Sequence, residues 1–96
     1  MGNNKEDVTT ICIPRVDMKQ PREYILNKLA KLEIGNIQKM FEIPLRNDTN
    51  YKRIIIKLKC NLNSKNSQQM INHLNESGTA KLVYDMPWYW KVCLAR

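Results

Sequence analysis

A two-layer α+β domain with the element order β-α-β-β-α-β is what the 96-residue chain predicts. Three observations predict it. Apolar and other residues alternate with the period of a half-buried strand through 53–60 (RIIIKLKC). Apolar residues recur at helical spacing at Ile25, Leu26, Leu29 and Leu32, and again at Met70, Ile71 and Leu74. Residues that favour turns separate one patterned segment from the next.

The elements follow in order. Residues 1–7 (MGNNKED) carry no periodicity and are expected to form a loose tail, which leaves 8–96 as a single domain. β-branched residues dominate 8–13 (VTTICI), a first strand ended by Pro14. Pro21 suits the first position of a helix, where its missing N–H costs nothing. Behind it runs the Ile25–Leu32 stripe, with Arg22, Lys28 and Lys31 outside and Gly35 as the stop. Residues 37–45 (IQKMFEIPL) predict a second strand, weakened near its end by Pro44. Its register is open around Gln38 and Glu42, so Phe41 faces either the helices or solvent. Residues 46–51 (RNDTNY) are turn chemistry. In the third strand, 53–60, Ile54, Ile56 and Leu58 face one way, and Arg53, Ile55, Lys57 and Lys59 the other. A polar link, 61–66, leads to a short helix over 67–76 that Gly78 terminates. The remainder predicts a hairpin, with arms 80–84 and 88–94 joined by Asp85, Met86 and Pro87. This order suggests a ferredoxin-like sandwich: a four-stranded antiparallel sheet, two helices on one face, and a C-terminal β-hairpin. The other sheet face is left open.

Composition limits the function. Apolar residues at 43% and charged residues at 26% are globular values,. A net charge of +7 draws the chain toward polyanions,, although a merely solvated basic face is the plain alternative. Cys12, Cys60 and Cys93 form no C-x-x-C pair, and His73 is the single histidine, so a zinc site is not expected,. Free thiols within apolar runs point to a reducing compartment. No apolar run approaches the ~20 residues of a membrane span, the N-terminus is too polar for a signal peptide, and Glu6 stands where myristoylation wants Ser or Thr. A soluble, intracellular protein is expected. No paired carboxylates, phosphate loop or activated nucleophile is present, so neither an enzyme nor a cofactor is expected.

The stretches Ile11-Cys12-Ile13-Pro14-Arg15-Val16 and Tyr51-Lys52-Arg53-Ile54-Ile55-Ile56-Lys57-Leu58 resemble the hexapeptide and octapeptide motifs of the RNA-recognition-motif (RRM) family. The resemblance extends over about residues 9–94 and implies an RRM-like sheet that binds RNA on its open face. The chain departs from the family at Cys12, Arg53 and Ile55, which occupy the three positions where the family stacks bases on aromatics. The same two motifs, together with VYDMPWYWKV, resemble a group of small uncharacterised RRM-like proteins of giant DNA viruses with a shared ending Y-D-x-P-W-x-W-K-V. That resemblance implies a viral protein, located in host cytoplasm, viral factory or virion, and carries no activity with it.

The candidate site follows from the open face. Arg15, Arg46, Lys52, Arg53, Lys57 and Lys91, with Ile55 and Tyr89, are the expected contacts to single-stranded RNA. Phosphates would meet the cations, and Arg53 would replace a stacking ring in part. Lys39 and Lys59 also fall beside this face. Phe41, Trp88 and Trp90 are candidates for an aromatic or partner surface, with burial in the core as the competing reading for Phe41 and for one tryptophan. A second function class remains open: a protein-interaction or self-assembly module, with Ile55 and Cys12 as an apolar strip and Trp88-Tyr89-Trp90 as its anchor.

Overall fold

The computed structural model describes residues 8–61 and 63–95; the expected tail, 1–7, lies outside them. Seven elements follow in the order β1 (Val8–Asp17), α1 (Arg22–Leu32), β2 (Gly35–Pro44), β3 (Tyr51–Cys60), α2 (Lys65–Ser77), β4 (Thr79–Asp85) and β5 (Trp88–Leu94). The strands form one antiparallel sheet of order β2-β3-β1-β5-β4. The sheet therefore has five strands where four were expected. The C-terminal hairpin joins it: β5 pairs with β1, and β4 becomes the outer edge. The reason lies in the apolar positions Ala80, Leu82, Trp90 and Val92, all of which are buried in the common core. Only a place in the sheet puts all four against the helices.

One face of the sheet carries the core. Ile11, Ile13 and Val16 of β1, Met40 of β2, and Ile54, Ile56 and Leu58 of β3 pack with Ile25 and Leu29 of α1 and Met70 and Leu74 of α2. Strand alternation then sends the intervening residues to the opposite, open face.

Several boundaries move for local reasons. Pro14 does not end β1; the strand continues to Asp17 past a register shift between Ile13 and Val16, a place where a missing N–H is tolerated. A second irregularity between Ile37 and Lys39 resolves the register of β2. Gln38 falls at the bulge, Met40 pairs with Ile56 beneath the sheet, and Phe41 pairs with Ile55 above it. Gly35 is not the stop of α1. Glu33 takes the left-handed position at φ 55°, while Gly35 opens β2, where an added Cβ would sit 2.4 Å from the Lys59 carbonyl oxygen. Helix α2 starts earlier than expected because Ser64 caps it, accepting from the Ser67 N–H,. Gly78 ends it in the left-handed region, as its place in the sequence predicts,.

Candidate nucleic-acid interface

An apolar row crosses four strands of the open face. Phe41 lies opposite Ile55, Ile55 opposite Cys12, and Cys12 opposite Cys93. Phe41 is 46% exposed, whereas Cys12 is buried between its neighbours. Burial and the adjoining Cys93 thiol push the Cys12 thiol above its ordinary value, with the Arg53 guanidinium acting weakly the other way. Cys12 is therefore a packing group in this row and a poor nucleophile.

Cations flank the row on both sides. Lys39 lies directly opposite Lys57, and Lys81 directly opposite Lys91. Arg53 stands on the same face as Ile55, opposite Ile43. The outward positions of β2, β3 and β5 hold no carboxylate. Among the described residues, the ion pairs present engage none of Lys39, Arg53, Lys57, Lys81 or Lys91. Directly opposed like charges destabilise a sheet. Two such pairs on one face make a surface whose repulsion a polyanion would relieve.

The aromatic end of the hairpin divides by alternation. Trp90 is buried and stacks on Tyr84, with centroids 4.0 Å apart and planes inclined by 18°. This corrects its candidacy as an exposed surface: its strand position faces the helices with Val92. Tyr89 lies on the open face, 47% exposed, with the Lys81 ammonium 4.8 Å from its ring centroid. Trp88 is 64% exposed at the hairpin end.

Lys52 requires the second correction. It shares the inward parity of Ile54 and Ile56, is only 5% exposed, and cannot reach a ligand on the open face. Its ammonium donates to Glu42 Oε1 at 2.6 Å and to the Gln20 carbonyl oxygen at 2.7 Å. The Lys52 hydrogen bond and charge hold the Glu42 carboxyl below its ordinary value, with Arg22 adding to the effect. Glu42 thus belongs under the sheet, which is why the polar residues of β2 obscured its register.

Arg15 sits at the edge of the face, its guanidinium 4.3 Å from the Tyr51 ring centroid and 2.8 Å from Asp48 Oδ2. Arg46 is exposed in the β2–β3 loop. Ile55 and Lys57 stand on the open face where alternation placed them, and Lys91 joins them because Trp90 and Val92 face the helices. Sequence reasoning missed Lys81 and Ile43. The available signal for Lys81 was its place between the apolar residues Ala80 and Leu82, which gives its side chain the outward parity. Among the described residues, no group of three or more His, Cys, Asp or Glu side chains could hold a metal ion, and no helix is long and apolar enough to cross a membrane.

Comparison with protein-family models, with curated proteins and with solved structures finds no match to the chain.

Proposed function

We propose that this chain is a non-catalytic, RRM-like module of ferredoxin-like type that binds single-stranded RNA on its open sheet face. The observation that carries the reading is the pairing of Lys39 with Lys57 and of Lys81 with Lys91 on a face whose β2, β3 and β5 positions lack carboxylates. Phosphates meet these lysines and Arg53, while Phe41 and Tyr89 offer exposed rings to bases. Base stacking contributes about 1–3 kcal/mol per base, so two rings supplement a mainly ionic grip. The protein then acts inside a cell, and the likeness to giant-virus proteins makes the host cytoplasm, the viral factory or the virion its place of action.

Fluorescence-anisotropy titration of an unstructured RNA oligonucleotide at two salt concentrations tests this. If the five cations Lys39, Arg53, Lys57, Lys81 and Lys91 each meet one phosphate, log K falls with log salt at a slope of about −3.5. Between 50 and 200 mM salt that is a loss of roughly a hundredfold. Exchanging Arg53 and Lys57 for glutamate should reduce the slope to about −2 and weaken binding further. Absence of binding at low salt would sink the proposal.

The apolar row from Phe41 through Ile55 and Cys12 to Cys93 favours a second reading. In it the same face meets a protein partner or a second copy of the chain. Under that reading the glutamate variants keep their self-association and Phe41→Ala or Ile55→Lys abolishes it, as sedimentation would reveal.

A further inference from the structure

An open groove of about 620 Å³ lies at the end of the sheet where β1, β3 and the β4–β5 turn converge. Its lining includes Tyr51, Tyr84, Trp88 and Tyr89, with Arg15 and Asp85. Its size falls within the range of ordinary ligand pockets. The open face runs into it, because Arg15, Tyr51 and Tyr89 belong to both. Rings and acceptors dominate its walls, whereas cations dominate the adjoining face. A phosphate is poorly suited to such a lining, and a flat ring bearing N–H donors is well suited to it.

Two residues set the preference. Asp85 and Trp88 are cross-strand partners where the hairpin closes, so a carboxylate and a largely exposed indole stand side by side. The nearest cation to that carboxylate, Lys28, is 4.0 Å away, beyond hydrogen-bond distance,. The second carboxylate of the groove, Asp17, is engaged locally, accepting the Lys19 N–H at 2.8 Å. A base stacked on the indole therefore turns its edge toward Asp85. A carboxylate has two acceptor oxygens and, when ionised, no donor. Guanine offers two adjacent donors, N1–H and N2–H, that match both oxygens. Adenine and cytosine present one amino group beside a ring acceptor, and uracil presents one N–H between two carbonyl groups.

We propose that this groove is a guanine-binding subsite, with Trp88 as the stacking platform and Asp85 as the carboxylate that reads the base edge. The inference rests on the RNA-binding reading of the sheet face and adds a base preference to it. A strand held on the cationic face would place one unpaired guanine in the groove at the hairpin end.

The test compares the affinity of the full chain for four kinds of RNA oligonucleotide: an octamer of uridine, and the same octamer with one guanosine, inosine or adenosine substituted at each position in turn. The guanosine oligomer should bind between about five- and one-hundred-fold more tightly than the uridine octamer in its best position, the range of a good bidentate base contact. Inosine, which lacks the amino group, should lose most of that gain, and adenosine all of it. Asp85→Asn should abolish the guanosine preference without weakening binding of the uridine octamer, since it removes a negative charge beside the strand. Trp88→Ala should weaken binding of every oligomer, because any base can stack on an indole, and quenching of tryptophan fluorescence by the guanosine oligomer should fall with it. Equal affinity for all four oligomers overturns the subsite and leaves the sheet reading standing. A guanosine preference that survives Asp85→Asn also overturns it. Failure of every oligomer to bind overturns both readings.

Discussion

Replacing Lys52 by methionine should cost stability and spare RNA binding, and replacing Arg53 by methionine should do the opposite. The two residues are neighbours in sequence, yet one points beneath the sheet and the other above it. The Lys52 ammonium donates two hydrogen bonds, at 2.6 Å to Glu42 and 2.7 Å to the Gln20 carbonyl. Charge-assisted bonds contribute about 1.5–3 kcal/mol each. Removing the ammonium also recovers its desolvation cost of several kcal/mol, and methionine preserves the packing of the stem. The expected net loss for Lys52→Met is therefore about 1–2 kcal/mol. Glu42→Ala should be worse, because it leaves a buried ammonium with a single neutral acceptor, a change that costs about 3–5 kcal/mol. For a domain of this size each kcal/mol lowers Tm by about 4–8 °C, so thermal denaturation followed by circular dichroism separates the two variants. Anisotropy titrations on the same preparations complete the comparison. If Lys52→Met kept the wild-type Tm and weakened RNA binding as far as Arg53→Met, the placement of Lys52 would be refuted. The pair also sets a pH dependence. The Glu42 carboxyl lies below its ordinary value in the folded chain, so its contribution is complete above the unfolded value of about 4.3 and is lost as pH falls below it. In Glu42→Ala that part of the acid-side loss should be absent.

Two further outcomes follow from the packing. Trp90→Ala should lower the urea-unfolding free energy by about 3–5 kcal/mol, because it removes a buried ring stacked on Tyr84,, whereas Trp88→Ala should stay within about 0.5 kcal/mol of wild type. Gly35→Ala should also destabilise in the same assay, since its Cβ would press on the Lys59 carbonyl oxygen and the backbone must shift to receive it.

Local pattern alone carried the two helices, the pairing of inward with outward residues along β3, and the two arms of the final hairpin. These depend on interactions between residues a few positions apart: the periodicity of burial, the left-handed position of Gly78, and the extended propensity of β-branched residues. The positions of Ile55 and Lys57 on the open face follow from the same alternation, whereas Tyr89 and Lys91 face outward only because the packing buries Trp90 and Val92. Three things required the tertiary structure. The bulge at Gln38 decided that Phe41 is exposed and that Glu42 is inward, because a bulge reverses the parity of every residue beyond it. The start of β3 at Tyr51 rather than Arg53 put Lys52 beneath the sheet, where Glu42 and the Gln20 carbonyl can satisfy its charge; both partners lie far from it in sequence, and no local pattern announces them. The docking of β5 on β1 made the sheet five-stranded. It opposed Cys12 to Cys93, and the hairpin set Lys81 against Lys91 and Asp85 beside Trp88. Alternation along a strand is a property of the chain. Which strands meet, and in what register, is settled by burial against the helices, and the candidate site is made of those meetings.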